Sequence, residues 1–107
     1  LPELAQEDEE AAWATATACL LLHTEGSGLA LETCALAARL MPEEAGISNA
    51  LGIVHALRHE HEEARARFEN AVALEPGRVD FEGNLAQLLA EIEALDGEID
   101  EGAEILE

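Results

Sequence analysis

The feature of this chain that most constrains its fold is a repeat with a period of 34 residues. Pro42 and Pro76 lie 34 residues apart, and small alanines and a bulky leucine precede each proline at the same distances. The matched pairs are Ala30 with Ala64, Ala37 with Ala71, and Leu40 with Leu74. Units of this length bury their apolar faces against neighbouring units, so the period predicts a stacked array of similar elements.

Composition indicates that these elements are helices. Hydrophobic residues make up 49% of the chain, most of them Ala and Leu, whereas aromatic residues make up 3% and Tyr is absent. Ala and Leu are strong helix formers, and strands prefer β-branched and aromatic residues. We therefore predict an all-α fold in a single domain.

Apolar spacing and chain breakers locate the helices. One helix face is predicted by the apolar residues at i, i+3, i+4, i+7 and i+10, which are Leu85, Leu88, Leu89, Ile92 and Leu95. Breakers are predicted at the glycines of 25–28, at the two prolines, at 59–61 and at Asp96-Gly97. The expected helices are six, near 4–24, 29–41, 44–58, 61–74, 79–95 and 98–107.

The best-defined unit, residues 45–78, resembles the tetratricopeptide repeat, a helix–turn–helix unit with the signature W-x2-L-G-x2-Y, A-x3-F and a terminal P. The matching residues are Leu51, Gly52, Ala64, Phe68, Ala71 and Pro76. Ser48 stands where a large aromatic residue is common, and His55 where Tyr is common. We expect these signature positions, His55 included, to serve packing. The resemblance implies a right-handed α-solenoid of antiparallel helix pairs.

Two further units flank the central one. Residues 11–44 form a degenerate unit, in which Ala18 replaces the Gly and Cys34 the Phe, and residues 1–10 form an acidic lead-in. The third unit, 79–107, fits the pattern only if about four residues are inserted before its second helix. We expect the chain to belong to a longer protein or assembly.

The resemblance also implies a concave groove that holds an extended peptide or a helix. Its candidate residues are Thr15, Cys19, Leu22, Asn49, Ile53, Leu57, Asn84 and Gln87, with Ala16, His23, Ala50, Ala56, Asp80 and Glu91 beside them. One subgroup of the family binds a C-terminal carboxylate with Lys, Arg and Asn. Lys is absent here, and Asp80 would repel a carboxylate. An apolar or basic protein partner therefore fits this groove better, and the alternative is a groove without a ligand.

The charge excludes two classes of partner. Five Arg stand against 24 acidic residues, which gives a net charge of −19. Nucleic-acid phosphates and anionic membranes would both repel such a chain. Adaptation to high salt, a docking surface for a basic partner, and design for solubility all remain open as reasons for this charge.

The remaining reactive residues form no catalytic pattern. Cys19 and Cys34 lack a CxxC arrangement, and we expect each to be a small buried hydrophobic residue. His55 and His59 have the i, i+4 spacing of a zinc site but lack a third firm ligand and the Glu of a metalloprotease motif. We expect no enzyme activity, cofactor or metal, and a cytoplasmic location in the absence of a signal peptide or a membrane span.

The sequence therefore predicts a non-catalytic protein–protein interaction scaffold. One alternative is a self-associating repeat module, in which Ile99, Ala103 and Leu106 form an uncovered face on the last helix. The other is a metal-binding protein based on the histidines.

Overall fold

A computed structural model describes the backbone of residues 2–106 and the side chains of residues 8–97. Over this range the chain forms five α-helices and no β-strand, so the all-α prediction is confirmed there. The helices are α1 (Pro2–Leu22), α2 (Gly28–Leu40), α3 (Ala45–Leu57), α4 (His61–Leu74) and α5 (Val79–Leu106). Residues 98–107 include Ile99, Ala103 and Leu106, so the side chains of the expected self-association face lie outside the described residues.

Local signals explain where the first four helices end. The Ser27 hydroxyl accepts a hydrogen bond from the Ala30 amide at 3.1 Å and so caps the start of α2. Pro42 and Pro76 each follow a helix by two positions and prevent it from continuing. His59 has a φ of 61°, in the left-handed region, which reverses the chain between α3 and α4.

The last helix differs from the prediction. The expected break at Asp96-Gly97 is absent, and α5 continues through 28 residues. A glycine inside a helix costs only about 1 kcal/mol relative to Ala, which is too little to end a helix that has already formed. The third unit, expected at 79–107, therefore contains one helix in the described range instead of two. Residues 2–10, expected as a lead-in, form the first turns of α1.

The helices pack in two layers. Helices α1, α3 and α5 lie side by side, with α2 against α1 and α3, and α4 against α3 and α5. The molecule measures 67 × 30 × 19 Å, and its radius of gyration is 16.8 Å. A compact domain of this length would have a radius of gyration of about 13 Å. The chain is therefore elongated.

Three small apolar clusters make up the core. The largest joins α1, α2 and α3 around Leu51 and Val54, which are fully buried. A second joins Ala45, Ala71 and Phe81. The third joins Ala64, Phe68 and Leu88, with parts of α3 packed against them. Each cluster lies between successive helices, so the apolar surface is buried along the length of the array.

Cys19 and Cys34 form a disulfide bond between α1 and α2, with Cα atoms 4.7 Å apart. The expectation of two separate hydrophobic residues is wrong on this point, although both are fully buried as expected. The two cysteines lie almost symmetrically about the turn at Gly26-Ser27, so folding the helical hairpin brings them opposite each other. That symmetry is the sequence signal that would have predicted the pair.

Helices α3 and α4 approach each other closely at Gly52. A Cβ atom at this position would lie 2.5 Å from Cδ1 of Phe68, so only glycine fits. The other signature residues are mostly in the core, since Leu51, Ala64, Phe68 and Ala71 are buried while Pro76 is exposed.

Ser48 lies buried on α3, in the position where the tetratricopeptide signature has a large aromatic residue. Its hydroxyl donates a hydrogen bond to the Arg67 carbonyl at 2.9 Å and accepts one from Nδ2 of Asn70, also at 2.9 Å. Two hydrogen bonds to α4 therefore replace the apolar contact of an aromatic ring.

Candidate functional site

Four of the eight main groove candidates line one cavity of about 320 Å³ between α3, α4 and α5. We refer to this cavity as the α3–α5 groove. It is lined by Ile53, Ala56, Leu57, Phe68, Asn84, Gln87, Leu88 and Glu91. Of these, Ile53, Leu57, Asn84 and Gln87 are groove candidates from the sequence.

Helical spacing explains this convergence. Ile53, Ala56 and Leu57 are at i, i+3 and i+4 of α3, and the lining residues of α5 follow the same rule from Asn84 to Glu91. Residues at these spacings share one helix face. Since α3 and α5 lie side by side, the two faces form the walls of the groove.

The floor of the groove is apolar and its α5 edge is polar. Phe68 and Leu88 are buried at the floor, and Leu57 is 49% exposed at one edge. Nδ2 of Asn84 donates a hydrogen bond to Oδ1 of Asn49 at 2.9 Å. This bond links the middle of α3 to the start of α5 and sets the separation of the two walls.

The candidates from the first unit do not join this cavity. Cys19 is in the disulfide and has no exposed surface, so it is not available to a ligand. The Thr15 hydroxyl donates to the Ala11 carbonyl on its own helix at 2.8 Å. Leu22 is half-buried and packs against the core cluster of α1, α2 and α3.

Asp80 was expected beside the groove residues, but it does not line the groove. Its two carboxylate oxygens accept hydrogen bonds from Nε and Nη2 of Arg78, at 3.0 and 2.8 Å. These bonds lower the pKa of the Asp80 carboxyl below its ordinary value. The same guanidinium bonds Glu75 and stacks 4.0 Å above the centre of the Phe81 ring, so Asp80 belongs to a structural cluster between α4 and α5.

Two lining residues are absent from the predicted groove set. Phe68 was assigned only to packing, and Leu88 only to the apolar face of its helix. Both roles are present, but the edges of these side chains also reach the cavity. The i, i+4 relation of Leu88 to Asn84 is the sequence signal for its position.

The histidines are distributed between packing and the α3–α4 turn. Nδ1 of His55 lies 3.1 Å from Oε1 of Glu60, and Nε of Arg58 lies at the same distance from that oxygen. The His55 bond first, and then the Arg58 bond, lower the pKa of the Glu60 carboxyl. The rings of His59 and His61 are 6.2 Å apart. Among the described residues, no three His, Cys, Asp or Glu side chains are arranged to hold a metal ion.

The groove can recognise a ligand by shape and hydrogen bonds. Glu91 is the one charged side chain that lines it in the described part of the chain. The amides of Asn84 and Gln87 can donate to and accept from a peptide backbone. Of the helices in the described range, none is both long and apolar enough to cross a bilayer.

Comparison of the chain with protein-family models, with curated proteins and with solved structures gives no match. The function of the groove has to be inferred from its own geometry.

Proposed function

We propose that this domain is a non-catalytic protein-interaction module that binds a peptide or a helix of a partner protein in the α3–α5 groove. The observation that carries the proposal is the convergence of side chains from α3 and α5 on one cavity with an apolar floor and an amide-bearing edge. Such a combination of apolar pocket and backbone-binding amides suits a peptide ligand.

We further propose that the five helices form a short, right-handed tetratricopeptide-like array. Two helical hairpins, α1–α2 and α3–α4, followed by α5, are the elements that such an array needs. The side-by-side placement of α1, α3 and α5 and the close approach at Gly52 are consistent with it.

The preferred ligand presents an apolar side chain next to a basic one. The apolar group would contact Phe68 and Leu88 at the floor, while Asn84 and Gln87 hydrogen-bond the peptide backbone. Glu91 at the edge favours a Lys or Arg of the ligand and disfavours a free carboxylate. This binding requires neither a cofactor nor a catalytic group.

A peptide-array screen at low and high salt tests the proposal. We expect salt-tolerant binding of apolar peptides that carry a basic residue, because salt does not screen the contacts that an apolar side chain makes with Phe68 and Leu88. Leu57→Ser should weaken binding of the selected peptides at least about tenfold, since burying a leucine side chain is worth about 1.5–3 kcal/mol.

Leu89→Ser is the matched control for this variant. Leu89 is 38% exposed on α5 but does not line the groove, so the substitution should leave the affinity unchanged. Equal weakening by the two variants, or peptides that bind Leu57→Ser as tightly as the wild type, would contradict the proposal.

The disulfide changes the proposed location of the chain. Disulfides between buried cysteines persist in oxidising compartments and are rare in the reducing cytoplasm of most organisms. We therefore propose that the domain works in an oxidising environment, in place of the cytoplasmic location expected from the sequence. Recovery of the protein from its source with two free thiols would contradict this.

A further inference from the structure

A second cavity lies at the other end of the array, where α1 projects beyond α2. Helix α1 has 21 residues and α2 has 13, and a short turn joins them. The difference of eight residues lets α1 extend about 12 Å past the end of α2. The turn between α2 and α3, residues 41–44, faces this projecting part of α1.

The cavity has a volume of about 940 Å³, and we refer to it as the N-terminal pocket. It is lined by Asp8, Glu9, Ala11, Ala12, Trp13, Leu40, Met41, Pro42, Glu43 and Glu44. Trp13 is 51% exposed and Leu40 is 48% exposed, so large apolar surfaces are accessible in it. The N-terminal pocket shares no lining residue with the α3–α5 groove.

Carboxylates outnumber basic residues around this apolar surface, because Arg39 is the only Lys or Arg within residues 1–57. Asp8, Glu9, Glu43 and Glu44 make no ion pair among the described side chains. Segments 1–38 and 40–57 contain neither Lys nor Arg. The electrostatic potentials of the four carboxylates therefore add, and the pocket has a negative potential over an apolar floor.

We propose that the N-terminal pocket binds a basic amphipathic segment of a partner protein. Apolar side chains of this segment pack on Trp13, Leu40 and Met41, while Lys or Arg residues beside them pair with the surrounding carboxylates. A cation above the Trp13 ring gains additional attraction from the ring. A purely cationic ligand would leave the apolar floor exposed, and an anionic one would be repelled. The proposal goes beyond the α3–α5 groove, since neither pocket needs the other.

Trp13 makes the test direct, because it is the only Trp in the chain and Tyr is absent. The probe is a peptide of about 16 residues, long enough to form an isolated helix, with Leu on one face, Lys on the other and no aromatic residue. Titration of this peptide should produce a saturable change in Trp13 emission. The affinity should decrease as salt is added, because exposed charge pairs are screened.

Two double variants with the same change in net charge locate the binding site. Glu43→Gln with Glu44→Gln should weaken binding about threefold to tenfold, as expected for the loss of two exposed ion pairs. Glu62→Gln with Glu63→Gln is the control, because these neighbouring carboxylates are also exposed but lie on α4, outside the N-terminal pocket. It should leave the affinity within about twofold of the wild-type value.

Three results would overturn the proposal. Equal weakening by the two double variants would show attraction to the total charge and not to this pocket. Unchanged affinity when Ser replaces every Leu of the peptide would show that the apolar floor is not used. Binding that is lost in Leu57→Ser and leaves Trp13 emission unchanged would place the peptide in the α3–α5 groove, which would support the proposed function while refuting this inference.

Discussion

The close approach of α3 and α4 at Gly52 can be tested by adding a single methyl group. In Gly52→Ala the new Cβ would lie 2.5 Å from Cδ1 and 2.6 Å from Cε1 of Phe68. Carbon atoms in good contact are about 3.5–4.0 Å apart, so the ring or the helix has to move by about 1 Å. Phe68 is 3% exposed and packs against Leu88, which restricts that movement.

Two opposing effects determine the result. Overpacking of this kind costs about 1–3 kcal/mol. Replacing Gly by Ala inside a helix gains about 1 kcal/mol of helix propensity. We expect the clash to dominate and the net loss of stability to be up to about 2 kcal/mol, which corresponds to a decrease of up to about 16 °C in Tm for a domain of this size.

Gly83→Ala is the matched control, because Gly83 lies in α5 and a Cβ added there meets nothing within 4 Å. That variant should gain up to about 1 kcal/mol of stability from helix propensity alone. Urea unfolding followed by circular dichroism at 222 nm measures both variants, and their difference isolates the cost of the clash. Equal stabilisation of the two variants would refute the proposed packing at Gly52. If the clash is with the ring, Phe68→Leu should destabilise the Gly52→Ala background less than it destabilises the wild type.

Four further predictions concern the disulfide bond, two polar contacts and the net charge. The Cys19–Cys34 disulfide joins residues 15 positions apart, so its reduction should lower the folding stability by about 3 kcal/mol through the entropy of the unfolded loop. Thermal melts with and without reductant measure this loss, and identical melts would contradict it. The folded-state pKa of Glu60 lies below its ordinary value of 4.5. Its contribution to folding stability is therefore complete above pH 4.5 and is lost as the pH falls through the lower folded-state pKa. The stability difference between wild type and Glu60→Gln should shrink accordingly on acidification. A double-mutant cycle on Asn49 and Asn84 should give a coupling of about 0.5–1.5 kcal/mol, as for one hydrogen bond, and a coupling near zero would argue against the contact between α3 and α5. Lowering the salt should destabilise the acidic chain and expose the amides of α1 and α5 to hydrogen exchange before those of α3 and α4, whereas uniform exchange would contradict this.

The middle helices could be predicted closely because their ends depend on local chemistry. The expected helix at 61–74 agrees with α4, His61–Leu74, and the bounds of α2 and α3 differ from the prediction by one residue at each end. Proline, glycine and serine act within a few residues of their own position, so a single sequence contains these signals. The signal at Asp96-Gly97 was misleading, since this pair permits both a turn and a continuous helix, and α5 continues through it.

The candidate site was predictable in part, for a geometric reason. The residues of the α3–α5 groove follow helical periodicity, which places Ile53 with Leu57 and Asn84 with Gln87. The sequence does not specify the distance between the two faces, or the burial of Cys19 between α1 and α2. The N-terminal pocket was missed because residues 1–10 were treated as a lead-in outside the repeat units, whereas residues 2–10 belong to α1 and Trp13 lines the pocket together with Pro42.

The amino-acid sequence by itself determines that this chain is helical over the described range, where the first four helices begin and end, and that its field is strongly negative. Helix propensity and helix-breaking residues act locally, and the net charge is a sum over all residues, so none of these properties depends on how the helices pack. Only the tertiary structure decides that Cys19 and Cys34 pair, that α5 continues as one helix, and that Gly52 lies against Phe68. It also decides which exposed apolar residues form pockets. Those outcomes depend on distances between residues far apart in the chain, and such distances are set only when the helices pack together.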